Sequence, residues 1–154
     1  MSWEIIVVLH DVSSVQRIHD VAKLVYGFGD KYLFVISKPS GAAAQIGIPE
    51  VSRTAYKNNK PLLVLPDIHD ALELLKPKQV FTISYKYGET ISIDAIEYDE
   101  PLMIIVSGSE AGLSKEEAYL GKPIRLPTHD DIGPVASLAI LMYILEERKK
   151  RVKK

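Results

Sequence analysis

The sequence predicts an α/β fold, with a mostly parallel sheet and helices on both faces. Apolar runs of strand length alternate along the chain with segments whose apolar residues recur at helical spacing, the order expected of βαβ units. The run at residues 101–107 is continuously apolar and rich in β-branched residues, which is typical of a central parallel strand buried on both faces. No linker, repeat or low-complexity tract divides the chain, so we expect a single domain over residues 1–154.

Short apolar segments bounded by turn or capping residues are the predicted strands. They are residues 3–9, 32–37, 61–65, 80–84, 101–107 and 122–127. The pattern of residues 90–96 fits either an edge strand or a short helix.

Capping residues and prolines mark where the helices begin, and glycine, asparagine or proline marks where several of them end. The predicted helices are residues 15–26, 49–59, 68–75 and 134 to about 150. Residues 38–48 contain too many small residues to form a packed helix throughout, so chain flexibility or close approach is expected there.

Composition excludes several kinds of site. The sequence contains no cysteine, which excludes disulfides, thiolate metal sites and cysteine nucleophiles. It contains no apolar stretch of the roughly 18 residues needed to span a bilayer, and its first residues are not a basic leader. We therefore expect a soluble, cytoplasmic protein.

Basic residues are concentrated at the C-terminus. The last seven residues, 148–154, hold six of the 19 Lys and Arg, which leaves 13 basic groups against 20 acidic groups in the rest of the chain. This tail could bind RNA phosphates. Alternatively, its cations stabilise the negative end of the last helix and otherwise face solvent.

A candidate ligand site follows the strand at residues 101–107. Next come a loop with two glycines, Gly108 and Gly112, a short strand at 122–127, a polar loop at 128–133, and a helix that begins at Pro134. In an open α/β sheet, ligands bind where strand ends and helix starts meet in this way.

The order of these motifs resembles a known family. A strand, G-S-E-x-G-L-S, a variable helix, I-x-L-P, a short loop and a V-A-S-L-A-I helix resemble the C-terminal half of the SPOUT superfamily, nearest to its SpoU branch. Members are RNA methyltransferases that use S-adenosyl-L-methionine (AdoMet). The resemblance implies a C-terminal trefoil knot, AdoMet as cofactor, tRNA or rRNA as substrate with the ribose 2′-hydroxyl as a candidate acceptor, and a homodimer formed through the C-terminal helix.

The resemblance also implies which residues hold the cofactor. The loop after the first strand would border the ribose and adenine, the I-x-L strand would offer backbone groups to the adenine, and the last helix would close the pocket. The implied residues are Gly108, Ser109, Ile124, Leu126, Pro134, Ala136 and Leu138. The alternative for Ile124, Leu126 and Leu138 is that they are simply core residues.

Arg53 is a catalytic candidate in the first half of the chain. Residues 45–55 resemble a SpoU block in which an N-x-G turn leads into a helix carrying R-T-A, and the resemblance implies that this arginine helps to activate the ribose hydroxyl. A protonated guanidinium could bind phosphate or stabilise an alkoxide. The alternative is a surface arginine in a salt bridge.

The other catalytic candidates lie near the predicted pocket. Glu110 is an acid on the glycine loop, and it could instead favour the positive end of the next helix. Ser137 corresponds to the serine of the SpoU S-L-N motif, although Ala139 replaces the asparagine. His129 could act as a general base, or belong to an exposed turn.

The sequence also allows two functions other than methyl transfer. A knotted protein could bind RNA or a nucleotide without turnover, which the missing asparagine favours. A nuclease-like enzyme would need carboxylates such as Asp94 and Glu97 to gather at a metal. The E-x-K pattern of residues 147–149 lies in the last helix. This helix is apolar around nearly its whole circumference, so we expect one face to pack on the sheet and another on a second subunit.

Overall fold

The computed structural model describes residues 2–152. Within them, seven strands form one sheet. The strands are β1 (Ile5–His10), β2 (Tyr32–Ser37), β3 (Leu62–Leu65), β4 (Gln79–Ile83), β5 (Glu89–Thr90), β6 (Leu102–Ser107) and β7 (Lys122–Arg125). The helices are α1 (Val15–Phe28), α2 (Ile48–Lys57), α3 (Ile68–Leu75), α4 (Lys115–Ala118) and α5 (Pro134–Val152). Helices connect successive strands except from β4 to β5 and from β5 to β6.

The strand order is β3-β2-β1-β6-β4-β7-β5, and the described neighbours pair in parallel. Strand β6, the continuously apolar run of the sequence, lies between β1 and β4, and all of its residues are buried. Late strands are thus inserted between early ones: β6 enters beside β1, and β7 enters between β4 and β5. The predicted mostly parallel α/β fold is confirmed, whereas the trefoil knot stays a prediction.

Alternate residues of the central strands pack into two hydrophobic clusters, one on each face of the sheet. One cluster joins β1, β2 and β6 to α1 and α5, and it includes Leu9, Ile104 and Leu138. The other joins the same strands to α3 and α4, and it includes Val8 and Ile105. Helices therefore cover both faces, as predicted.

Differences from the sequence prediction fall in short segments. Residues 43–47, where a packed helix was not expected throughout, form one π-helical turn that leads directly into α2. In the ambiguous segment at residues 90–96, only Thr90 belongs to a strand, because the edge strand β5 is limited to two residues paired with β7.

The described part of the basic tail continues α5 to Val152. Lys149 pairs with Glu4, and Arg151 lies 3.6 Å from the Asp94 carboxylate. Lys149 and Arg151 thus pair with acidic groups of the same chain, and Lys153 and Lys154 lie outside the described residues. In the described part of the chain, no helix has the length and apolar character that crossing a membrane requires.

Candidate active site at the carboxyl edge of the sheet

A cleft lies at the carboxyl ends of β4, β6 and β7. Its walls come from residues 83–86, from the loop after β6, from residues 125–128 after β7, and from residues 131–137, which lead into α5. The sequence predicted that the ends of β6 and β7 and the start of α5 would meet, but it did not predict the contribution of β4. The cavity volume is about 70 Å³.

The loop at residues 108–114, called here the cleft loop, is held in shape by hydrogen bonds to Ser107 and Ser109. Ser107 ends β6, and its buried hydroxyl accepts a hydrogen bond from the backbone N–H of Ser109 at 3.0 Å. The carbonyl of Ser109 accepts the N–H of Gly112 at 3.1 Å, and Gly112 has φ of 79°, a conformation that favours glycine. The cleft loop is therefore a tight turn that borders the cavity.

Arg17 of α1 holds the start of the cleft loop. Its Nη1 donates to the carbonyl of Gly108 at 2.9 Å, and its Nη2 pairs with the carboxylate of Glu110. The Arg17 side chain is 20% exposed, whereas that of Glu110 is 74% exposed. Sequence reasoning missed Arg17, because an arginine in the first turns of a helix has no local signal that separates it from a surface residue.

Gly108 packs against the chain itself. A Cβ atom at this position would lie 2.6 Å from the Cβ of Val12 and 2.8 Å from the carbonyl oxygen of Asp11. This contact alone requires a glycine here, and a place for Gly108 beside the cofactor stays a prediction. Gly108 is required first by the contact between the end of β6 and the segment after β1.

Ile124 and Leu126 have the buried positions of core residues. The carbonyl of Ile124 accepts the N–H of Ser84 at 3.0 Å, and the carbonyl of Leu126 accepts the N–H of Thr128 at 2.8 Å. These carbonyls are already used within the chain. Leu126 still borders the cleft with part of its surface.

Successive residues at the start of α5 face different directions, so only some of them line the cleft. Pro134 and Ser137 line the cleft, and the N–H of Ser137 donates to the carbonyl of Gly133 at 3.1 Å. Ala136 is exposed, and Leu138 is fully buried in the core, so these two neighbours of Ser137 do not line the cleft.

His129 and Arg53 are not brought into the cleft. The His129 side chain is 97% exposed, and its Nδ1 lies 3.1 Å from the carboxylate of Asp130. Arg53 is exposed on α2, outside the residues that line the cavity.

A cationic and aromatic pair borders the cleft on the β7 side. The guanidinium of Arg125 lies 5.1 Å from the centre of the Tyr85 ring, and its Nη1 donates to the carbonyl of Tyr85 at 3.3 Å. Arg125 and Tyr85 are 40 residues apart in the chain, so no local pattern predicted this pair. A stacked arginine is suited to contacts with phosphates or bases.

Asp94 and Glu97, the carboxylates considered for a nuclease, are both exposed. The side chain of Asp94 is 90% exposed and lies near Arg151, and Glu147 pairs with Lys150 at 3.6 Å. Over residues 2–152, no group of three or more His, Asp or Glu side chains has an arrangement that could hold a metal ion.

Solved structures of RNA methyltransferases share this fold. A structure described as giving insights into the 2-OH methylation of C/U34 on tRNA has a TM-score of 0.76, with 17% identity over 95% of this chain and 96% of that chain. The SpoU methyltransferase AviRb from Streptomyces viridochromogenes, in complex with AdoMet, has a TM-score of 0.75 and 10% identity over 100% of this chain and 63% of that chain. At these identities the similarity shows the fold alone.

Sequence relatives carry different names. The protein named "Putative type II restriction enzyme ApeKORF2002P" from Aeropyrum pernix is 37% identical over 150 residues, 94% of each chain. "Putative type II restriction enzyme MjaORF1200P" from Methanocaldococcus jannaschii is 31% identical over 140 residues, 91% of this chain and 94% of that protein. A family model described as RecB-family nuclease (DUF2122) matches residues 41–144. The chain therefore belongs to the DUF2122 family, and it has the fold of the SpoU-type methyltransferases.

Proposed function

We propose that this protein is an AdoMet-dependent RNA methyltransferase that acts on tRNA or rRNA. The observation that carries the proposal is the cleft between the ends of β4, β6 and β7 and the start of α5, at the sheet edge where open α/β folds bind ligands. The AdoMet complex among the solved structures with this fold supports the choice of cofactor.

The cleft must widen to hold AdoMet. Its volume of about 70 Å³ is well below the roughly 300–1,000 Å³ of ordinary ligand pockets. Widening would have to come from the exposed segments beside the cleft, which are the middle of the cleft loop, around Ala111, and residues 129–132. Its lining combines the apolar surfaces of Leu126 and Pro134 with charged side chains such as Glu110 and Arg125, which suits a ligand that has both apolar and charged parts.

We assign the cofactor to the residues that the family resemblance implies, with a change of emphasis. Leu126 and Pro134 contact the cavity directly, whereas Gly108 and Ser109 shape its loop wall. The buried side chains of Ile124 and Leu138 support the wall from the core, and Ala136 would reach the ligand only after movement of α5. AdoMet supplies an electrophilic methyl group, and the chain must bring the RNA nucleophile in line with it.

Chemical roles near the cleft fall to Ser137, Glu110 and Arg125. Ser137 faces the cavity and could donate or accept a hydrogen bond there. Arg17 orients the Glu110 carboxylate, and Arg125, stacked on Tyr85, offers a guanidinium to an RNA phosphate. Arg53 and His129 do not line the described cleft, so any role for them there would be exerted from outside it.

A homodimer is part of the proposal. Ala136, Ile140 and Tyr143 form one exposed stripe at helical spacing along α5, and Ile140 and Tyr143 are 42% and 60% exposed. A second subunit that covers this stripe would also lie beside the Ser137 wall of the cleft. It could bring its own Arg53 or His129 to that site.

A nuclease is the second candidate, since the family description and the names of the relatives support it. Metal-assisted cleavage needs clustered carboxylates. A metal site at Asp94 and Glu97 would therefore need further ligands, which the described residues of a single chain do not bring to them. A protein that binds RNA without turnover is the third candidate.

One set of measurements separates these functions. Calorimetric titration with AdoMet should give one site per chain, and radiolabelled AdoMet should transfer its methyl group to tRNA or rRNA. The parallel assay incubates duplex DNA and RNA with the protein and Mg²⁺. AdoMet binding without transfer to any RNA would favour the binding protein, and Mg²⁺-dependent cleavage without AdoMet binding would overturn the proposal.

A further inference from the structure

The side chain of His10 is a buried polar group that the proposed chemistry does not use. It ends β1, is 1% exposed, and lies on the face of the sheet covered by α3 and α4. Its Nδ1 lies 2.8 Å from the hydroxyl of Ser37, and its Nε2 lies 2.8 Å from Oε2 of Glu117. Both ring nitrogens therefore have partners, from β2 on one side and α4 on the other.

The direction of these hydrogen bonds follows from the charge of Glu117. Partial burial acts to raise the pKa of the Glu117 carboxyl, but hydrogen bonds from Ser114 and His10 outweigh it and leave the pKa lowered. An ionised carboxylate only accepts hydrogen bonds, so Nε2–H of His10 is the donor. In the neutral imidazole, the Ser37 hydroxyl then donates to Nδ1.

Both ends of the cleft loop are tied to this one residue. At the first end, the N–H of Gly108 donates to the backbone carbonyl of His10 at 2.7 Å. At the last end, Oε1 of Glu117 accepts the N–H of Ser114 at 2.9 Å while Oε2 accepts from the imidazole. The Ser114 hydroxyl accepts the N–H of Glu117 at 3.1 Å, which closes a capping box at the start of α4.

We propose that His10 is a positioning residue of the cleft, which fixes both ends of the cleft loop to the central strand β1. Between these ends, Glu110, Ala111 and Gly112 are exposed, so the loop takes much of its order from its ends. Arg17 holds the Gly108 end and Glu110, whereas Glu117 holds the Ser114 end. The proposal rests on the proposed function in one respect, that the cleft loop borders the AdoMet site.

Removal of the Glu117 link should loosen the loop without unfolding the protein. In Glu117→Ala, amide hydrogen exchange at Gly112 and Ser114 should become about tenfold faster, because a charge-assisted hydrogen bond and its backbone contact are lost together. The dissociation constant for AdoMet should rise by a similar factor. Glu116→Ala is the matched control, since Glu116 is an exposed acid on the same turn of α4.

A rescue variant separates positioning from charge. In Glu117→Gln, the amide oxygen can still accept from Ser114, and the NH₂ group can donate to Nε2 if the His10 proton moves to Nδ1. Loop exchange and AdoMet affinity should then stay within about twofold of wild type. The imidazole ¹⁵N spectrum should show the change from the Nε2–H to the Nδ1–H tautomer.

The role of His10 itself is tested by a double-mutant cycle. After His10→Phe, the further change Glu117→Ala should accelerate loop exchange by less than twofold. Equal effects of Glu117→Ala in both backgrounds, or wild-type loop exchange in Glu117→Ala, would overturn the proposal. If wild-type protein fails to bind AdoMet, the proposed function is wrong. The amide exchange rates would still test the role of His10, because they do not depend on AdoMet.

Discussion

The two glycines of the cleft loop differ in what a side chain would meet. In Gly108→Ala, the new Cβ would be forced to within 2.6 Å of Val12, so we expect a loss of about 1–3 kcal/mol in the free energy of unfolding, as for overpacked cores. In Gly112→Ala, no atom lies within 4 Å of the new Cβ, and the strain of a positive φ should cost about 1 kcal/mol.

Urea denaturation of both variants, with calorimetric titration of AdoMet beside it, measures this difference. The result that contradicts it is a Gly108→Ala protein with wild-type stability and no AdoMet binding. That result would restore a direct contact between Gly108 and the cofactor as the reason for this glycine.

Glu117 should contribute to the acid sensitivity of the protein. Its pKa in the folded protein is lowered, so its contribution to stability is present above its unfolded pKa and is lost as the pH falls through the folded value. Below about pH 4.3, the ordinary pKa of glutamate, the unfolding free energy of wild type should therefore fall more steeply than that of Glu117→Gln. Denaturation curves at steps between pH 6 and pH 3, on the order of half a unit apart, compare the two slopes. Parallel slopes would mean that the carboxylate is not stabilised in the folded state.

At the scale of elements, the sequence predicted the long elements well and the short ones poorly. Strand β2 was predicted at its observed bounds, because six consecutive buried residues leave a strong local pattern. Strand β5 has only two residues and exists through its pairing with β7, and the four-residue helix α4 depends on a capping box. Contacts of this kind lie outside a local window of sequence.

The candidate site was likewise predicted only in part. The loop, the strand end and the start of α5 were predicted to meet, because glycine and proline mark them locally. Arg17 and Glu110 are 93 residues apart, and His10 and Glu117 are 107 residues apart. Only the sheet order, with β6 beside β1, brings these pairs together.

The exposed stripe of α5 should mediate dimerisation. An acidic residue within it would be desolvated and unpaired at the interface, so Tyr143→Glu should convert a dimer to a monomer at micromolar concentration. Leu74→Glu is the matched control, because Leu74 is a comparably exposed apolar residue, 61% against 60%, on α3. Light scattering on wild type and both variants gives the masses. A monomeric wild type would exclude this interface.

At the scale of the whole molecule, family and fold point to different chemistry. The relatives that share 37% and 31% identity are named restriction enzymes, while the solved structures of the same fold are methyltransferases with 10–17% identity. Fold alone does not decide function, so the site must. The proposed cofactor can be tested through stability, because a cofactor that binds only the folded state raises the free energy of unfolding.

Ligand linkage gives the sharpest test of the cleft. If AdoMet binds the folded chain alone, a concentration of about 100 times its dissociation constant should raise the free energy of unfolding by about 2.7 kcal/mol. Ser137→Phe should abolish this increase, because Ser137 faces the cavity and a phenyl ring would fill it. Ala136→Phe is the matched control, since the preceding residue is exposed and does not line the cavity.

Chemical denaturation of the three proteins, with and without AdoMet, gives three distinguishable outcomes. The expected result is an increase for wild type and Ala136→Phe and none for Ser137→Phe, provided that Ser137→Phe folds with wild-type circular dichroism. Loss in both variants would bring Ala136 into the pocket wall, as the family resemblance implied. An increase that survives Ser137→Phe would place AdoMet elsewhere on the protein, because the phenyl ring would leave no room for the cofactor in this cavity.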